Sequence, residues 1–95
     1  MKVRWTGKAA SDLERLHAFL RPVAPEAAAR VVLQLARAPD RLVEFPRIGE
    51  KLDGYEPREV RRLVVGDYEL RYEIDAGTIT IVRLRHRREH RDLRT

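Results

Sequence analysis

The period of the apolar positions changes along the chain. Val3 and Trp5 alternate with Lys2 and Arg4, which predicts a short strand over Lys2–Trp5. Ala9, Leu13, Leu16 and Leu20 then recur at spacings of four, three and four, one stripe of an amphipathic helix. Asp12, Glu14 and Arg15 are expected to point away from that stripe. Thr6 can cap the helix start, and Pro22 forces its end near Leu20, because a proline disfavours helix at the preceding residue. Pro25 suits the first turn of a second helix, with Glu26 at its positive dipole end. Ala28, Val31, Val32 and Leu35 would be the buried face. Pro39 predicts a break near Ala38, followed by a short helix to about Phe45, since a proline removes a hydrogen bond and crowds the preceding turn.

After a loop over residues 46–57 the period becomes two. Glu59–Val65 reads as a strand, and Gly66-Asp67 as a two-residue hairpin turn. Tyr68, Leu70, Tyr72 and Ile74 alternate with Glu69, Arg71, Glu73 and Asp75, so the tyrosines are assigned to the core. Asp75-Ala76-Gly77 turns the chain again, and Thr78–His86 is the last strand. The order β-α-α-β-β-β predicts an α+β fold, with a helical hairpin packed on one face of an antiparallel sheet. The last strand breaks its own pattern. Ile79 and Ile81 fall on one face and Val82 and Leu84 on the other, so either a bulge shifts the phase or a partner covers the second face.

At 95 residues the chain is long enough for one core, and residues 1–95 are read as a single domain with a charged tail over 87–95. With no cysteine, thiol catalysis and Cys-based zinc sites are excluded, and three histidines make a metal site a poor expectation; no cofactor is expected. No apolar run reaches the ~20 residues of a membrane span, and Met1–Trp5 lacks the apolar stretch of a signal peptide. No membrane partner and a cytoplasmic location are therefore expected. Charge is uneven: residues 76–95 carry six arginines and two acids, net +4, whereas residues 46–75 carry six basic and eight acidic side chains, net −2. A cationic end on a near-neutral body suggests an anionic partner. The end holds Arg83, Arg85, His86, Arg87, Arg88, Arg91 and Arg94.

Several residues, taken in order, resemble one family. They are Trp5-Thr6, Ala9-Ala10, Asp12-Leu13, Pro25 with its alanines, Phe45-Pro46-x-x-Gly49, Arg58-Glu59-x-Arg61, Tyr68-x-Leu70-x-Tyr72-Glu73 and Arg83-x-x-His86-x-Arg88. The chain resembles the RelE/ParE superfamily of type II toxin–antitoxin toxins over essentially its whole length, and the Tyr-x-Leu-x-Tyr form is closest to the ParE branch. The resemblance implies a small bacterial toxin that arrests growth, of the kind that stabilises plasmids, neutralised by a cognate ParD-like antitoxin, with operator DNA met only through that antitoxin.

Two activities occur in the superfamily. RelE-type members are ribosome-dependent endoribonucleases that cut mRNA, and ParE-type members inhibit DNA gyrase by binding, so fold alone does not decide. Cutting RNA through the ribose 2′-hydroxyl needs a base, an acid and cations for the phosphate. Nuclease members typically carry arginine three positions before the residue matching Tyr72, where this chain has Glu69. They also commonly carry a C-terminal tyrosine and paired lysines; here no tyrosine follows Tyr72, and the only lysines are Lys2, Lys8 and Lys51. The resemblance therefore leans toward a gyrase inhibitor without catalytic residues, with the ribonuclease and a degenerate toxin that keeps only antitoxin binding or operator repression as alternatives. His86 is the one weak catalytic candidate. The expected target contact is Arg83, Arg85, His86, Arg87, Arg88 and Arg91, with Arg58, Arg61 and Arg62 framing it or forming a cross-strand ion-pair ladder instead. The expected antitoxin contact is Ile79, Ile81, Val82 and Leu84. His17 and His90 are assigned no function.

Overall fold

The computed structural model describes residues 1–88. Strand β1 (Lys2–Trp5) leads into helices α1 (Gly7–Leu20) and α2 (Pro25–Glu44), then into strands β2 (Glu50–Lys51), β3 (Glu59–Val65), β4 (Tyr68–Asp75) and β5 (Thr78–His86). The sheet runs β1-β5-β4-β3-β2. The helical hairpin packs on one face of this sheet, as the periodicities predict. Two features were not predicted: β1 lies parallel to β5, which makes the sheet mixed, and β2 adds a two-residue edge strand inside the expected loop.

Local chemistry accounts for the boundaries. Thr6 caps α1, its hydroxyl accepting the Ala9 N–H at 3.0 Å. Gly66 at φ 60° and the Ala76-Gly77 pair at φ 48° and 77° make the two tight hairpins, in the left-handed region that such turns require. Pro39 does not break α2, which runs unbroken from Pro25 to Glu44. Leu35, Ala38, Pro39 and Leu42 are all buried, so the apolar stripe continues on both sides of the proline. Burial on that scale outweighs the ~3 kcal/mol that an interior proline costs.

The core is built from Ala9 and Leu16 of α1, Leu35, Ala38 and Leu42 of α2, and Leu63, Leu70, Tyr72, Ile74, Ile79, Ile81 and Leu84 of the sheet. The phase break in β5 is a bulge. Tyr72 pairs with Ile81 but Arg71 pairs with Arg83, leaving Val82 as the extra residue. The extra residue returns Leu84 to the face of Ile79 and Ile81, and all three are 0% exposed. The bulge, not a partner, resolves the two-sided pattern. Asp12, expected on the solvent side of α1, is 5% exposed. Its carboxylate accepts the Leu84 N–H at 2.9 Å and Arg83 Nε at 2.8 Å. The Thr6 hydroxyl donates to the Val82 carbonyl at 3.0 Å. The start of α1 thus satisfies backbone groups that the bulge removes from the ladder.

Candidate functional site

Strand alternation turns Arg62, Glu69, Arg71, Arg83 and Arg85 to the sheet face opposite the helices, since each pairs across strands with another member of that set or with its neighbours on the same face. At the centre is Glu69, only 4% exposed. Its Oε2 lies 3.2 Å from Arg71 Nε and 3.4 Å from Arg85 Nε, and its Oε1 lies 3.4 Å from Arg62 Nη1. Arg62 also holds Glu50 at 2.9 Å, a bond that keeps its guanidinium charged well beyond the ordinary range. Arg71 also donates to the Tyr55 hydroxyl at 3.0 Å.

Arg58, Glu59 and Arg61 form the ion-pair ladder. Arg58 grips Glu73 through two bonds of 3.0 and 2.8 Å, and Arg47 grips Glu59 through two of 2.9 Å. Arg61 donates to Glu59 at 2.7 Å and to the Gly49 carbonyl at 2.8 Å. These bonds hold both carboxyls below their ordinary range, Glu59 chiefly through Arg47 and Glu73 through Arg58. Arg58, Arg61 and Arg62 are therefore spent on carboxylates of the chain itself, rather than gathered into one surface with the end of β5.

The sequence-predicted cluster divides in two. Arg83 and Arg85 lie on β5, bound to Asp12 and Glu69. Arg87 and Arg88 follow the strand in a turn and are exposed; Arg91, Arg94 and His90 fall outside the described residues. His86 closes β5. Its ring stands edge-on to Tyr68 with centroids 5.1 Å apart, and its Nδ1 accepts the Arg88 N–H at 3.0 Å. With Nδ1 so engaged, the histidine anchors the turn that presents Arg87 and Arg88.

An antitoxin face on Ile79, Ile81 and Leu84 is corrected by their burial under the helices; Val82 alone of the four keeps partial exposure. The exposed apolar groups lie elsewhere. Phe19 is 77% and Val23 87% exposed. Phe19, Leu16, Leu20, Tyr68 and His86 line a cleft of about 420 Å³ with Arg15 and Arg88 at its rim. Sequence reasoning missed this cleft because Phe19 lies off the α1 stripe. It also missed Asp12 as a buried anchor, although Ala9, Asp12 and Leu16 stand at helical spacings of three and four. Among the described residues, no group of three or more His, Asp or Glu side chains could hold a metal, and no helix is long and apolar enough to cross a membrane.

Comparison with known proteins fits this architecture. The family described as the ParE toxin of the type II toxin–antitoxin system parDE matches residues 3–91. The chain belongs to this ParE toxin family. Toxin RelE2 of Caulobacter vibrioides is 38% identical to this ParE-family chain over 85 residues, covering 90% of it and 93% of the relative. A chain of the chromosomal ParDE system from P. aeruginosa has the same fold, with TM-score 0.75 at 24% identity over 90% of this chain and 95% of that one. A chain of the RelBE2 toxin–antitoxin complex from Mycobacterium tuberculosis matches with TM-score 0.59 at 29% identity, over 90% and 95% of the respective chains. The ParE-family chain is thus a type II toxin–antitoxin toxin of the RelE/ParE superfamily.

Proposed function

We propose that this toxin arrests growth by binding DNA gyrase in the cytoplasm, without catalytic residues, and that a cognate ParD-like antitoxin neutralises it. The carrying observation is the buried Glu69 carboxylate among Arg62, Arg71 and Arg85. A ribonuclease on this face needs cations free to meet a scissile phosphate. Here the central position is a carboxylate, and the surrounding guanidiniums are engaged by it. Target contact falls to the exposed Arg87 and Arg88 with Arg91, groups suited to bidentate bonds with carboxylate or phosphate. For the antitoxin, the Phe19 cleft suits an acidic amphipathic segment, its apolar side against Leu16, Phe19 and Leu20 and its acids near Arg15 and Arg88.

The test is induction without antitoxin, with separate readouts of the DNA-damage response and of translation. Filamentation and a damage response while translation continues are expected. Prompt loss of translation with cuts in ribosome-bound mRNA would instead mean a nuclease, and no arrest would mean a toxin that keeps only its regulatory contacts. In the same assay Arg87→Ala/Arg88→Ala/Arg91→Ala should abolish arrest with the fold intact, whereas His86→Ala should keep at least part of it.

A further inference from the structure

The contacts around Glu69 are longer than well-made ion pairs of this type. Its carboxylate oxygens stand 3.2, 3.4 and 3.4 Å from the nearest nitrogens of Arg71, Arg85 and Arg62, whereas a charge-assisted N–H···O bond settles near ~2.7–2.9 Å. One small anion is shared among cations arranged around a space somewhat too large for it. Two of the three cations are also held from outside. Glu50 ties Arg62 at 2.9 Å, and the Tyr55 hydroxyl accepts from Arg71 at 3.0 Å. Arg85 projects from the middle of β5, with its backbone paired opposite Glu69. The guanidiniums would therefore stay converged if Glu69 lost its charge.

We propose that Arg62, Arg71 and Arg85 form an oxyanion site of phosphate-binding type that Glu69 fills from within, so that Glu69 is the residue that closes this sheet face to the nucleic-acid backbone. A phosphate presents several acceptor oxygens where a carboxylate presents two, and guanidinium forks bind it bidentately. With Glu69 ionised in the site, an incoming phosphate meets a fixed like charge and must displace a tethered competitor. With the charge removed, three guanidiniums face one remaining carboxylate, Glu50, and the face becomes an anion receptor. The proposal deepens the binding reading, since a closed face explains why this fold would hold its target elsewhere. Its own test involves neither gyrase nor ribosome.

The experiment compares the full-length protein with Glu69→Gln, which keeps shape and removes charge. Each is titrated with inorganic phosphate, followed by thermal midpoint, and with an unstructured single-stranded RNA oligonucleotide at fixed salt, because phosphate contacts depend on ionic strength. Glu69→Gln should gain at least about tenfold in RNA affinity, equal to ~1.4 kcal/mol, and its midpoint should climb with phosphate while that of the parent does not. Glu69→Gln/Arg71→Met should lose the gain. If Glu69→Gln is unfolded alone, recovery of its fold by added phosphate carries the same meaning. A folded Glu69→Gln that binds RNA no better than the parent, a gain that survives Arg71→Met, or an unfolded variant that phosphate does not restore, would overturn the proposal. A wild-type protein found to cut mRNA would sink the gyrase reading and leave this comparison standing.

Discussion

The Tyr72 hydroxyl accepts the Gly49 N–H at 3.0 Å and donates to the Pro46 carbonyl at 2.7 Å, so one side chain of β4 pins the loop that follows α2. The loop comes so close that a Cβ on Gly49 would stand 2.5 Å from the Arg62 carbonyl and 2.7 Å from the Tyr72 hydroxyl. Tyr72→Phe leaves a buried donor and a carbonyl without that partner, and should cost about 1–3 kcal/mol, read as a lower denaturation midpoint at unchanged m-value. Burial pushes the phenol above its ordinary value of 10.0. Above that pH the unfolded chain ionises while the folded chain holds its proton, so this contribution is complete below pH 10 and is lost as pH rises through the folded value. Tyr72→Phe should therefore flatten the alkaline side of the stability profile. Alternation in the sequence made Tyr72 legible as core. Its hydroxyl partners were not legible, because they come from a loop that no period places.

At the scale of elements, the boundaries of β1, β3, β4 and β5 and both helix starts could be read from period, caps and turn residues, which act locally. What escaped was settled by contacts distant in sequence. Pro39 stays helical because the sheet buries the residues around it, and the parallel pairing of β1 with β5 joins the two ends of the described chain. The β5 bulge depends on Asp12, a residue whose charge alone suggested solvent. Asp12→Ala would strand the Leu84 N–H and remove the carboxylate from Arg83, itself mostly buried. A cost of about 3 kcal/mol is expected, with Asp12→Asn clearly milder because it keeps an acceptor for Leu84. Denaturant unfolding of the three proteins measures it. Equal losses for both variants would mean that the bulge does not depend on this acceptor.

Across the whole molecule, charge and exposure are divided by face. The open sheet face holds its arginines in internal pairs, while the turn after β5 and the end of α1 present cations and apolar groups to solvent. The charge excess near the C-terminus was legible from the sequence. Which arginines are already paired was not, because Glu50, Glu69 and Asp12 reach them only through strand register and the bulge. The same division separates residues that hold the fold from residues open to an antitoxin. Ile81→Asp sets a carboxylate at a position with 0% exposure, a burden of several kcal/mol on a domain whose total stability is of order 5–15 kcal/mol, and it should unfold the protein. Phe19→Asp acts where the ring is already 77% exposed; it should leave circular dichroism and the thermal midpoint nearly unchanged. It nonetheless removes the largest apolar group of the cleft and sets a negative charge where an acidic segment would dock. Antitoxin affinity should fall by at least tenfold in a binding titration, with growth arrest by the free toxin retained. A Phe19→Asp protein that binds antitoxin as tightly as the parent would move the antitoxin contact away from the α1 cleft.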